Sequence, residues 1–247
     1  MNGPPIYVAE GKIVRPIPTN RAVLGVVLLV TVGICGVDEA GRGPVLGPLV
    51  VAAVMMDDES PLVEMGVRDS KALTRARRAV LFKWIKDVAD VEIVVISNGQ
   101  IDERREKETL NEIEAGAFAA ALQRFKGSIM YLDAADVNEE RFGRTVSGHL
   151  GFSVEMVCRH KADELYPIVS AASIIAKETR DTLMDRISEE MGVDVGSGYA
   201  NDPKTRSFLE NWISENGDLP PCARRSWETS RRLLALSRTR RLTDWMD

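Results

Sequence analysis

Four acidic residues of this 247-residue chain stand where a predicted strand ends or a helix begins: Asp38, Glu39, Asp133 and Asp163. Strand ends at the edge of an α/β sheet are where sites usually form. Carboxylates drawn together from distant sequence repel one another unless a cation lies between them. Oxygen ligands without nearby cysteine or histidine suit Mg²⁺ or Mn²⁺, and two such ions can promote phosphodiester cleavage. An acid at a strand end is by itself usually just solvated, so the argument depends on the local motifs.

A glycine-rich loop follows the first pair of acids and contains Gly41, Arg42 and Gly43. Glycines let the backbone approach a ligand closely, and successive amide groups can bind an anion. An ordinary glycine turn between two strands is the alternative, and it would be preferred for an isolated GRG sequence. Neighbouring strand residues point to opposite faces. Asp38 and Glu39 therefore aim inward together only if the strand is already turning, as Gly41 suggests.

Alternating strands and helices are predicted to position these groups. Apolar β-branched runs predict five strands, over residues 33–38, 47–56, 91–97, 128–132 and 153–160. The first two are separated by the glycine-rich loop and favour a hairpin-like pair. Helical periodicity predicts six helices, over residues 74–89, 101–125, 138–150, 168–191, 203–217 and 224–236. Small residues at the start of the fourth helix predict close packing against a sheet, and the fold class is α/β.

Composition and charge restrict the kinds of site. The formal net charge is -5, so any phosphate-binding surface must be local. Arginines are concentrated over residues 224–241, and a second basic cluster covers 71–78; solvated helix faces are the alternative for both. Three scattered cysteines argue for a reducing compartment and against a disulfide framework or a zinc site. With two histidines in the chain, metal ligands are expected to be carboxylates.

The start of the chain contains an almost wholly apolar run over residues 22–37. It is shorter than the ~20 residues that a membrane helix needs. A signal peptide is disfavoured because more than twenty residues precede the run and no small-residue cleavage site precedes Asp38. The end of the run is better interpreted as a buried strand that carries Asp38. Residues 1–30 are predicted to be a poorly ordered extension, and the protein is expected to be cytoplasmic, without a membrane anchor.

Five sequence motifs in a fixed order resemble those of the ribonuclease HII family, over about residues 33–234. They are GVDEAGRGPVLGPLVVAAV from residue 36, DSKALT at 69–74, YLDAADV at 131–137, HKADELYPIVSAASIIAKETRD at 160–181 and GSGYANDPKT at 196–205. Five motifs in order are far more specific than any one of them. Two departures, Ala72 and Ala200, stand where the family commonly has lysine and proline.

The resemblance implies a ribonuclease H-like mixed five-stranded sheet flanked by helices, with a helical C-terminal region. It also implies an endonuclease that hydrolyses the RNA strand of RNA/DNA hybrids and cuts 5′ of single ribonucleotides in duplex DNA. Two Mg²⁺ or Mn²⁺ ions would act there and leave 3′-hydroxyl and 5′-phosphate ends. The chain would divide into a catalytic domain at 31–195 and a substrate-binding region at 196–237. The arginine-rich C-terminal helix predicted over 224–236 is expected to clamp the substrate, and packing on the body is the alternative.

Individual roles follow from position in these motifs. The four acids named above would be the metal ligands and catalytic residues. The loop of Gly41, Arg42 and Gly43 would read the ribose 2′-hydroxyl, the group that separates RNA from DNA. Tyr199 would stack on the following deoxyribose, while Ser70 and Lys71 would contact backbone phosphates.

The tail, residues 238–247, resembles the short peptide that replication and repair proteins insert into the sliding clamp. Leu242, Trp245 and Met246 would form its apolar face. A frayed helix end is the alternative for the tail. For the whole protein, which is expected to be monomeric, the alternatives are a nuclease of the same fold acting on another structure and a catalytically idle scaffold that binds hybrids or the clamp.

Overall fold

The computed structural model describes the backbone of residues 7–9, 12–15, 30–31, 33–67 and 73–243, and the side chains of 33–67 and 73–237. Near the N-terminus, β1 (Tyr7–Ala9), β2 (Lys12–Arg15) and β3 (Val30–Thr31) pair antiparallel in that order. Most of the predicted extension lies outside the described residues. The predicted contacts of Ser70 and Lys71 lie there too, as do the side chains of the tail, so those statements stay predictions.

The central sheet has five strands in the order β6-β5-β4-β7-β8. They are β4 (Ile34–Ala40), β5 (Leu49–Met56), β6 (Asp90–Ile96), β7 (Ile129–Asp133) and β8 (Met156–Arg159). β5 pairs antiparallel with β4 and β6, whereas β7 pairs parallel with β4 and β8. The predicted mixed five-stranded sheet and the hairpin-like first pair are therefore confirmed.

Parallel pairing brings the ends of three strands to the same edge of the sheet. The β4–β7 register pairs Val37 with Leu132, so Asp38 and Asp133 follow at neighbouring positions. The β7–β8 register pairs Asp133 with Arg159, four residues before Asp163. Strand order and register thus bring together three acids that are far apart in sequence.

Helices cover both faces of the sheet. The helices are α1 (Ser60–Glu64), α2 (Arg75–Val88), α3 (Asn98–Arg104), α4 (Leu110–Leu122), α5 (Glu139–His149), α6 (Ala162–Leu165), α7 (Pro167–Met191), α8 (Pro203–Asn216) and α9 (Glu228–Thr243). α2 and α7 pack on one face, and α4 and α5 pack on the other. A third apolar cluster joins α8 to the loop after β4 and to the C-terminal half of α7. Among the described residues, no helix is long and apolar enough to cross a membrane.

The close packing predicted for the start of α7 is confirmed at Gly36 on β4. A Cβ atom at Gly36 would lie 2.4 Å from the backbone carbonyl of Ile168. The small residues Ala171 and Ala172 of α7 are fully buried in the same layer. The sheet and α7 therefore meet nearly backbone to backbone, which fixes α7 firmly beside Asp38.

Three helix predictions need correction. The helix predicted over 101–125 is two helices, because Thr109 and Glu112 form a capping box that starts α4. The first of these two helices, α3, begins at Asn98 rather than at residue 101, because Ser97 forms a second capping box there. α9 begins at Glu228 rather than at residue 224, and the short helices α1 and α6 were not predicted.

Candidate active site

Three aspartates converge at the edge where β4 and β7 end. Asp38 lies on β4, Asp133 ends β7 and Asp163 lies in the first turn of α6, and one carboxylate oxygen from each lies within 4.8 Å of the others. Asp38 and Asp163 are buried, with 6% and 3% of their surface exposed. Lys161 adopts a left-handed backbone conformation (φ 55°) and turns the chain from β8 into α6. Ala162 then donates its N–H to Asp133 Oδ1 at 3.4 Å.

The environment of Asp38 and Glu39 disfavours the charged forms of these two acids. Burial raises the pKa of Asp38 well above its usual value, and the carboxylates of Glu39 and Asp133 raise it further. The Ser173 hydroxyl and the Glu39 N–H, at 2.8 Å, hydrogen-bond to Asp38 and lower its pKa in part. Burial and then Asp133 raise the pKa of Glu39 to about 7, against the opposing effect of Arg42. A divalent cation would relieve this repulsion, and the all-oxygen donor set fits Mg²⁺ or Mn²⁺.

Glu39 lines the cleft but lies outside the group of three aspartates. β4 does not turn at this point as predicted, because its ladder with β5 continues regularly through Glu39–Val51 and Ala40–Val50. Neighbouring residues of a regular strand point to opposite faces. Asp38 therefore meets Asp133 and Asp163, while Glu39 reaches the same cleft from the other side of the strand.

A cleft of about 410 Å³ contains all four acids. Its lining residues are Asp38, Glu39, Ala40, Gly41, Arg42, Asp133, Asp163, Ser173, Lys177, Arg180, Asp181, Ser197 and Tyr199. Four of these, Ser173, Lys177, Arg180 and Asp181, lie on α7 and were not predicted as site residues. Their spacing of three and four residues places them on one helix face, which is the signal that could have identified them.

The Gly41–Gly43 segment forms one wall of the cleft, and its backbone geometry requires glycine at the first position. Gly41 has a φ of +94°, and a Cβ there would lie 2.4 Å from Arg180 Nε and 2.6 Å from the Pro48 carbonyl oxygen. The Arg42 guanidinium donates to Asn111 Oδ1 at 2.7 Å and pairs with the fully buried Glu114 of α4. The Arg42 side chain therefore anchors the loop to α4.

Tyr199 stands beside this loop at the mouth of the cleft, with 41% of its surface exposed. A Cβ at Gly43 would lie 3.7 Å from the tyrosine ring, in ordinary contact. Arg180 lies near the other side, 5.6 Å from the ring centroid, and donates to the Ser197 carbonyl at 3.1 Å. The Gly198 carbonyl accepts from the Val45 N–H at 2.8 Å, which joins the two loops.

Each basic cluster combines exposed ion pairs with one buried arginine, Arg78 in the first and Arg224 in the second. Arg75 pairs with Asp185, and the buried Arg78 donates to Asp181 at 2.7 Å. Arg225 pairs with Asp218 at 2.8 Å. Arg224, the first arginine of the C-terminal cluster, is fully buried.

A mixed five-stranded sheet whose parallel strands bring three aspartates to one edge defines a metal-dependent nuclease of the ribonuclease H class. The family model for ribonuclease HII matches residues 35–230. Ribonuclease HII of Thermococcus kodakarensis is 48% identical over 204 residues, which cover 81% of this chain and 89% of that protein. Ribonuclease HII of Methanocella arvoryzae is 49% identical over 205 residues, covering 82% and 92%. The chain belongs to the ribonuclease HII family.

Solved structures agree with this assignment. Ribonuclease H2 of Pyrococcus horikoshii OT3 superposes with a TM-score of 0.77 at 41% identity, covering 83% of this chain and 99% of that one. Ribonuclease HII in a complex with PCNA from Archaeoglobus fulgidus gives a TM-score of 0.75 at 44% identity, covering 81% and 96%. The predicted family, fold and class of enzyme, a metal-dependent endonuclease with ribonuclease H activity, are confirmed.

Proposed function

We propose that this protein hydrolyses the RNA strand of RNA/DNA hybrids and cuts on the 5′ side of single ribonucleotides embedded in duplex DNA. The products would carry 3′-hydroxyl and 5′-phosphate ends. The main support for this proposal is that three converging aspartates, the Gly41–Gly43 loop and Tyr199 lie in the same cleft. Acids that suit phosphodiester cleavage thus lie beside groups that suit recognition of a ribonucleotide junction.

The acids would hold two divalent ions, Mg²⁺ or Mn²⁺. Asp38, Asp133 and Asp163 offer converging oxygens, and Glu39 adds a fourth carboxylate from the opposite side of β4. When bound, such ions supply an activated water and stabilise the charge on the leaving 3′-oxygen. The protein contributes a fixed donor set, because α7 and the Ser173 hydroxyl hold Asp38 in place.

Recognition of the junction would come from the opposite wall of the cleft. The Gly41–Gly43 loop presents backbone rather than bulky side chains, so it can approach the ribose 2′-hydroxyl closely. The half-exposed ring of Tyr199 would stack on the deoxyribose that follows. Lys177 lies in the same cleft and is a candidate contact for a substrate phosphate. Because the motif at residues 69–74 resembles that of the family, Ser70 and Lys71 would contact backbone phosphates of the bound duplex.

The tail would bind the sliding clamp. α9 extends to Thr243, so it contains the backbone of Leu242, whereas Trp245 and Met246 lie outside the described residues. The Archaeoglobus fulgidus relative was solved as a complex with PCNA. A peptide of residues 238–247 should bind a clamp of this type, and a matched peptide with alanine at Leu242, Trp245 and Met246 should not. Equal binding of both peptides, or none by the native one, would exclude this role for the tail.

The proposal is tested with a labelled DNA duplex that contains one ribonucleotide, with an all-DNA duplex as control. We expect a single cut 5′ of the ribonucleotide in Mg²⁺ or Mn²⁺, and no cut with a chelator. A long RNA/DNA hybrid is assayed in parallel. Cleavage of the long hybrid but not of the single-ribonucleotide duplex would keep the nuclease activity but exclude recognition of the junction. Absence of cleavage of both the hybrid and the single-ribonucleotide duplex would favour the alternative of an idle scaffold that binds hybrids or the clamp.

A further inference from the structure

Arg224 is a buried cation in a turn between α8 and α9. Its side chain is fully buried and is the largest fully buried side chain, by volume, among the residues that the structure describes. Among the ion pairs formed by described residues, none includes Arg224. Burial, followed by the nearby Arg180, lowers the pKa of its guanidinium. Burying a cation without a carboxylate partner is costly unless its hydrogen-bond donors are satisfied.

The donors of Arg224 all go to one loop. Its Nε donates to the Gly47 carbonyl at 2.9 Å, Nη1 to the Arg42 carbonyl at 3.0 Å and Nη2 to the Gly41 carbonyl at 2.6 Å. Its backbone N–H donates to the Val45 carbonyl at 2.8 Å. The Trp227 ring lies against the guanidinium, 4.8 Å from its centroid. The planar guanidinium thereby fixes three carbonyls of one loop, and the backbone N–H of the same residue fixes a fourth.

These hydrogen bonds determine which backbone groups of the loop face the cleft. Two carbonyls of the Gly41–Gly43 segment point inward to Arg224. The amide N–H groups of Gly41, Arg42 and Gly43 form no hydrogen bond within the described part of the chain. On the other side of the loop, Arg180 bonds to the Pro48 and Leu46 carbonyls and to Ser197, next to Tyr199. Two buried arginines thus fix the position of the loop relative to Tyr199.

We propose that Arg224 is a positioning residue that sets the conformation of the Gly41–Gly43 loop and thereby the selectivity for a ribonucleotide. The inference rests on the proposed role of that loop as the reader of the 2′-hydroxyl. Arg224 does not touch the substrate itself, because it is fully buried behind the loop. Its loss should therefore reduce the discrimination between ribose and deoxyribose more than it reduces the affinity for duplex DNA.

The test compares binding of two duplexes that differ only by one 2′-hydroxyl, in Ca²⁺ to limit turnover. Dissociation constants are measured for wild type, Arg224→Lys and Arg124→Lys. Lysine keeps the charge but cannot reach three carbonyls from one nitrogen. Arg124 is a matched control outside the cleft and the substrate-binding region, where it pairs with Glu92 of β6 on the surface. We expect the preference for the ribonucleotide duplex, measured as the ratio of the two dissociation constants, to fall about tenfold in Arg224→Lys, the equivalent of one hydrogen bond. The dissociation constant for the all-DNA duplex should stay within about twofold of the wild-type value.

The outcomes separate the two proposals. If wild type prefers the ribonucleotide duplex and Arg224→Lys keeps that preference in full, the inference is overturned while the proposed function stands. If wild type shows no preference, the reading role of the loop fails and the inference fails with it. Should Arg224→Lys lose its cooperative melting transition, Trp227→Leu replaces it, because it removes the ring beside the guanidinium without removing a hydrogen bond. A reduced preference there supports the inference, and an unchanged one overturns it.

Discussion

Replacing Glu39 by glutamine should stabilise the metal-free protein above neutral pH although it removes a proposed metal ligand. In the folded protein, burial and Asp133 raise the pKa of Glu39 from 4.5 to about 7. A group with a raised folded pKa contributes its stability below the unfolded pKa and loses it as the pH rises through the folded pKa. Wild type should therefore lose stability between about pH 4.5 and pH 7. Glu39→Gln should lose less, because glutamine does not ionise and only the raised pKa of Asp38 still opposes folding there.

The size of the effect follows from the same two pKa values. Their difference corresponds to about 3 kcal/mol at pH 8, as an upper limit because the site can relax. For a chain of this size, that is a rise in Tm of roughly 6–12 °C. At pH 4.5 the two proteins should melt within a few degrees of each other, since Glu39 is then largely protonated in the folded state.

The assay is thermal unfolding of wild type and Glu39→Gln in a chelator, from pH 4.5 to pH 8. Glu215→Gln on the exposed surface of α8 is the matched control, and it should change stability by less than about 0.5 kcal/mol. Adding Mg²⁺ at pH 8 should raise the Tm of wild type more than that of Glu39→Gln, because a bound ion stabilises the folded state. A Glu39→Gln protein that is no more stable than wild type at pH 8 would refute the argument that burial and the nearby Asp133 carboxylate disfavour ionised Glu39 in this cleft.

Three further predictions concern cleavage, the loop and the tail. Asp133→Asn should reduce cleavage of the single-ribonucleotide duplex by more than about a hundredfold, because one of three converging ligands is lost. Its melting temperature should not fall. Near-normal turnover would contradict the assignment of the three aspartates as the metal site. Gly41→Ala and Gly66→Ala both place alanine at positive φ, at a cost of roughly 1 kcal/mol. Only Gly41 is crowded, by Arg180 and Pro48, whereas Gly66 has no atom within 4 Å; melting and cleavage should therefore suffer much more in Gly41→Ala, and equal effects would exclude a role for the close approach. Truncation after residue 237 should abolish clamp binding in a pull-down and leave cleavage of a short duplex unchanged, and retained binding would place the clamp contact elsewhere.

Much of this fold could be predicted from the sequence because its strands are continuous apolar runs. β5, for example, is buried on both faces from Leu49 to Val54 and is unmistakable as a run of valines and alanines. The acids could be located because each follows such a run or its loop. The family resemblance then supplied the mixed five-stranded sheet, which periodicity alone does not give.

Other features depend on contacts that local patterns do not contain. The break between α3 and α4 comes from Thr109, whose side chain caps α4 within an otherwise helical stretch. The approach of Glu39 to Asp38 from the other face of the strand, outside the group of three aspartates, depends on β4 staying regular against β5 to Ala40. The burial of Arg224 depends on loop carbonyls about 180 residues earlier in the chain. An arginine beside other arginines is typical of a basic surface, and only the fold shows this one to be internal.

The most direct test of the central claim, that Asp38, Asp133 and Asp163 form a divalent-metal centre at the cleavage site, is anomalous diffraction from crystals grown with Mn²⁺ and a single-ribonucleotide duplex. The account predicts manganese bound by these three carboxylates, beside the phosphate on the 5′ side of the ribonucleotide, with the Gly41–Gly43 loop against its 2′-hydroxyl. Manganese bound at other residues would contradict the account. So would a scissile phosphate remote from the three aspartates in crystals that cleave the duplex when they are warmed.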